Sequence, residues 1–163
     1  MNKDKLKKIT IFSLITGTAL GVISLLPFIQ FISVLVMSIF SSIIVIFYMQ
    51  KKKFINALTI KGAGIIGAYI GFVSLAGFLL TFLPLAAIFG ALVHYIAPNN
   101  IYFSGIKFLI QIWWILLLMG GLITALFNSF AAISYIYIKD TYFMITGDKE
   151  IKGNFEPRNR NGI

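Results

Sequence analysis

Side chains able to do acid–base, nucleophilic or metal chemistry are scarce in this chain, and they lie at the edges of long apolar stretches. All five carboxylates, Asp4, Asp140, Asp148, Glu150 and Glu156, fall outside those stretches. No two of them can meet inside a helical bundle as acid and base or as metal ligands. His94 is the single histidine, and an interfacial polar contact beside Tyr95 accounts for it. Cysteine is absent, which removes disulfides, thiolate metal sites, thiol nucleophiles and a lipid-modified N-terminal Cys. The chain reads as non-enzymatic, and no catalytic residue, metal site or cofactor is expected.

What remains is neutral. Gln30, Ser33, Ser38, Ser41, Ser42, Ser74, Thr81, Gln111, Thr124, Asn128 and Ser129 punctuate the apolar runs. Asn128 stands out because it falls deep within one of them, where an amide seeks a partner on another helix for about 0.6–2 kcal/mol. With Ser38 and Ser42 it is the candidate for an interhelix contact or for a face toward a polar solute. Pro84 with Gly90 could mark an interrupted helix of the kind found at transporter sites.

The elements that must position these residues follow from charge spacing. There is no Asp, Glu, Lys or Arg between Lys8 and Lys51, between Lys61 and Lys107, or between Lys107 and Lys139. A hydrocarbon core about 30 Å thick takes about 20 apolar helical residues, so each gap is long enough to cross it. The composition, 59% hydrophobic and 12% charged in 163 residues, agrees. The first gap is about twice one span and is broken by Pro27, which reads as a helical hairpin. The expected fold is an all-α integral membrane four-helix bundle forming one domain, with helices at about 9–26, 30–50, 60–83 and 105–138. Thr59 is the expected N-cap of the third. Pro84 either bends the third run or divides it, with division the preferred reading and leaving an extra interfacial helix at 85–97, and Pro98 with Asn99 and Asn100 makes a loop. Trp113 and Trp114 stand about 22 residues, or about 33 Å of helix, before Tyr135 and Tyr137, and so bracket the fourth span. The tail, 139–163, is expected to be partly disordered, with Tyr142 to Ile145 able to lie on head groups.

Basic residues set the orientation. Lys3, Lys5, Lys7 and Lys8 precede the first helix, Lys51, Lys52, Lys53 and Lys61 lie between the second and third, and five more follow the fourth. Four spans put thirteen of the fourteen on one side and only Lys107 on the other, which makes both termini cytoplasmic. The net charge of +9 then faces an anionic cytoplasmic leaflet rather than nucleic acid. Residues 1–20 resemble a secretory signal, yet the apolar run continues past Ala19 to Pro27, which suits an uncleaved anchor.

Small residues recur every fourth position: Gly17 and Gly21 on the first helix, Ala63, Gly67 and Gly71 on the third, Gly121, Ala125 and Ser129 on the fourth. Each set shares one helix face and allows close backbone approach, for internal packing or for a dimerisation or pore-lining face. The arrangement of Gly17, Gly21, Ser24, Leu26, Pro27, Tyr48 before a basic run, Leu58, Thr59, Gly62, Ala63, Gly67 and Gly71 resembles small bacterial membrane proteins of unknown function, over about residues 13–77. The resemblance implies a bacterial cytoplasmic membrane and no activity. The leading expectation is an accessory or scaffold subunit acting through helix–helix packing, with another membrane protein or a second copy as partner. The alternative is a small permease or channel for a neutral or apolar solute.

Overall fold

The computed structural model describes residues 3–55, 58–96, 108 and 111–146, without the side chains of Pro27, Phe28, Val93, His94 and Ile96. The expectations for His94, for the loop at 97–100, for Lys107 and for the tail beyond residue 146 lie outside what is described.

Among the described residues there are four long helices: α1 (Lys3–Ile23), α2 (Pro27–Lys51), α3 (Ile60–Ile96) and α4 (Trp113–Thr146). By length and composition each is able to cross a membrane. The basic stretch from Lys3 to Lys8 is already helical, and α4 continues past Lys139 for two more turns.

The helix ends obey local chemistry. Pro27 opens α2 at its first turn behind the extended Leu26, where a missing N–H costs nothing. At the start of α3 the Thr59 hydroxyl accepts a hydrogen bond from Gly62 N at 3.2 Å, the N-cap expected of it. α2 closes in a Schellman motif, with Lys53 N bonded to Gln50 O and Phe54 N to Met49 O, both at 2.9 Å. That closure needs a left-handed residue, and Lys53 takes the position at φ 56°.

α3 differs from expectation. It passes through Pro84 without a break, so there is no division at that proline and no separate interfacial helix at 85–97. Proline removes one backbone hydrogen bond, whereas ending a helix orphans four carbonyls on one side and four N–H groups on the other. In apolar surroundings the single loss is the smaller, and proline is tolerated in membrane helices for that reason. A second irregularity had no counterpart in the sequence reading: the second turn of α4, Leu116–Gly120, is π-helical.

α3 is the central element, packed along α1 on one side and α4 on the other, while α2 lies against α4, α1 and α3. The starts of α1 and α3, the end of α2 and the last third of α4 share one end of the bundle. Contacts tie them together: Lys8 Nζ lies 4.1 Å from the centre of the Phe54 ring, Lys139 Nζ donates to Gln50 Oε1 at 2.6 Å, and the Thr10 and Tyr69 hydroxyls are 2.8 Å apart. The described lysines thus gather at one end.

Candidate functional site: a buried polar layer

Two apolar clusters fill the interior. Nearer the basic end are Ile9, Val45, Ile46, Met49, Ile55, Ala63, Ile66, Ile70, Ala132 and Ile136. Nearer the other end are Met37, Leu75, Phe78, Leu79 and Leu83, with Trp113, Leu116 and Leu117 against them. Between the two lies a layer of Ser13, Ser41, Ser42, Ser74, Thr124 and Asn128, all buried. Each helix contributes to it.

Asn128 is the hub. Its Oδ1 accepts from Ser41 Oγ at 2.9 Å and from Ser42 N at 2.8 Å. Its Nδ2 donates to Ser38 O and Thr124 O at 2.9 Å and lies 3.1 Å from Met37 O. Ser42 Oγ returns a bond to Asn128 O at 2.9 Å. The amide therefore reaches both Ser42 N and Ser38 O, the donor and acceptor that successive turns of a helix pair with each other. Bonds from one side chain to groups on successive turns of α2 fix the register of α4 against it. Ser38 takes part through its carbonyl, and its side chain is half-buried.

The glycines make room for this layer. A Cβ on Gly71 would stand 2.9 Å from Asn128 Nδ2, and one on Gly67 would stand 2.5 Å from Asn128 O. A Cβ on Gly17 would run into the Ser74 carbonyl, and one on Gly21 would lie 3.0 Å from Phe78 O. Gly17 and Gly21 thus face α3, Gly67 and Gly71 face α4, and Gly121 meets the Phe72 ring of α3. Ala63 is fully buried. Across the α1–α3 contact Ser74 Oγ donates to Ser13 O at 3.2 Å.

On α4 the buried line runs through Gly121, Thr124, Asn128, Ala132 and Ile136. Ala125 and Ser129 flank it, half-buried, with Ser129 against Gly64 and Gly67. The face is thus centred on the amide, with Gly121 and Ala132 in line with it and Ala125 and Ser129 at its edge. Ser13 and Gly77 are not singled out by the sequence. Ser13 continues the Gly17 and Gly21 spacing by one turn, which is the signal that would have found it.

The expected interface residues sit toward the two ends. Lys51, Lys52 and Lys53 are exposed at the end of α2. Tyr135 packs on the basic-end cluster while Tyr137 is exposed. Trp113 lies on the opposite cluster, Trp114 is exposed, and Trp113 also lines a shallow apolar cavity of about 280 Å³ with Leu79, Leu80, Leu83 and Pro84.

Chemically the polar layer can hold helices in register. It contains no titratable group, and among the described residues no group of three or more His, Cys, Asp or Glu comes together. Compared with protein-family models, with curated proteins and with solved structures, the chain matches none.

Proposed function

We propose that this chain is a non-enzymatic multi-pass membrane protein that serves as an accessory or scaffold subunit, packing its outer helix faces against another membrane protein. It resides in a bacterial cytoplasmic membrane, with the basic end and both termini toward the cytoplasm and its anionic leaflet.

One observation supports the role above the others. The oxygen and nitrogen of the Asn128 side chain are both engaged by the bundle itself, so the amide has protein partners and needs no solute. The outer faces, by contrast, are lined with large apolar side chains such as Phe31 at 76% exposure and Phe130 at 68%. Apolar faces suit lipid or a partner helix. Gathering of the lysines at one end supports the orientation, because cations concentrate on the cytoplasmic side.

The test joins two measurements. A photo-reactive residue at Phe31 or Phe130 should yield one fixed cross-linked membrane protein in cells, while the same residue at the buried Met49 should not. Liposomes carrying the purified chain should take up neutral solutes no faster than empty ones. Protein-dependent uptake with no cross-linked partner would replace this reading with a permease or channel.

A further inference from the structure

The lysines at the basic end are not explained by the helices that carry them. Lys3 and Lys5 stand in the first turn of α1 and Lys61 in that of α3, at the positive ends of helix dipoles, where acids are favoured and cations disfavoured. Only Asp4 offsets them in the first turn of α1. Lys51 suits the α2 C-terminus, but α1 and the end of α2 together carry seven lysines against that single acid. Seven cations against one acid on neighbouring segments make this part of the basic end attractive to anions.

Two of them have a defined setting. The rings of Phe54, Phe12 and Tyr48 form a row across the seam between α1 and α2, with Phe12 6.5 Å from Phe54 and 4.8 Å from Tyr48. Lys8 Nζ lies over the Phe54 ring at 4.1 Å, and Lys52 Nζ is 6.0 Å from the centre of Tyr48. An ammonium group thus stands at each end of an aromatic row. Both lysines and Tyr48 are exposed, and one turn deeper so are Ile15 and Ile44. The ring faces orient the lysine stems, and the apolar residues below offer a track for a chain.

We propose that this seam binds the phosphate of an anionic phospholipid, with Lys8 and Lys52 on the headgroup and an acyl chain along α1 and α2. The site rests on the membrane reading above. It is narrower than a general attraction to an anionic leaflet, because it assigns the binding to two lysines and not to the whole cluster.

The experiment is lipid retention by the full chain in neutral detergent, read by native mass spectrometry with phosphatidylglycerol and phosphatidylcholine of identical chains. The wild type should retain phosphatidylglycerol preferentially. Lys8→Gln with Lys52→Gln should weaken that binding about thirtyfold, each lysine near an anionic surface being worth about fivefold. Lys8→Arg with Lys52→Arg should preserve it, which separates loss of the site from loss of the fold. Lys3→Gln with Lys7→Gln removes two charges from the opposite face of α1 and should change binding less than about twofold. An equal loss in that control, equal retention of the two lipids, or displacement of the lipid by inorganic phosphate would overturn the site. A chain that stays dissolved without detergent would refute the membrane reading itself.

Discussion

Gly17→Ala is the sharpest probe of how the bundle is held together. The added methyl would run into the Ser74 carbonyl and stand 2.8 Å from its carbon and 3.0 Å from Phe78 N. These are backbone atoms of α3, so no change of side-chain rotamer can relieve the overlap. α1 and α3 must move apart by about 1 Å, and overpacking of this kind costs about 1–3 kcal/mol. The same shift stretches the 3.2 Å bond from Ser74 Oγ to Ser13 O, worth about 0.6 kcal/mol between membrane helices. Replacing glycine by alanine within a helix returns about 0.5–1 kcal/mol. The net loss should therefore be about 1–3 kcal/mol. Gly120→Ala is the internal control, because its nearest neighbour would be Leu75 Cδ2 at an ordinary 3.4 Å; it should be neutral or slightly stabilising. Reversible unfolding in mixed micelles of increasing SDS, followed by circular dichroism, reads both. A Gly17→Ala protein as stable as the wild type would show that α1 and α3 are not in the contact described.

Three further outcomes are expected. Asn128→Leu should cost about 1–2 kcal/mol in the same assay, and with the bond from Ser42 N to the amide oxygen gone it should speed hydrogen exchange at Ser42 N; unchanged exchange there would show that the amide does not hold that N–H. Lys53→Gly should stabilise the protein by about 1 kcal/mol, because the left-handed φ of 56° is strained for lysine and free for glycine. A loss of stability would mean that the lysine side chain matters more than its backbone. In the cysteine-free parent, Lys52→Cys should react with an impermeant thiol reagent only from the cytoplasmic side, and Asn99→Cys, outside the described residues, only from the opposite side; labelling of both from one side would break the four-span topology.

Much of this protein is legible in the chain because apolar helices of span length are written locally. A helix in lipid must satisfy its own backbone and avoid charge, so uncharged gaps of span length announce the four helices, and Pro27 and Thr59 mark two of their starts. Pro84 misled for the same local reason: proline speaks for a break, and only its surroundings decide whether one missing hydrogen bond costs less than eight orphaned groups. The π-helical turn at Leu116–Gly120 has no residue type that signals it.

The site was half legible. Asn128 is conspicuous in the sequence as an amide deep in an apolar run, and the glycines are conspicuous by spacing. Which helix each glycine faces, and which backbone groups the amide reaches, depend on how four cylinders are rotated about their axes. Sequence alone determined that this chain is built of helices long and apolar enough to span a membrane, where its cations lie along them and that it has no cysteine, because those properties reside in single segments. Tertiary structure alone decided that Gly67 and Gly71 open the space for Asn128, that the amide bonds Ser42 N and Ser38 O of α2, and that Lys8 and Lys52 flank one aromatic row, because such contacts join residues that are distant along the chain and are set by packing.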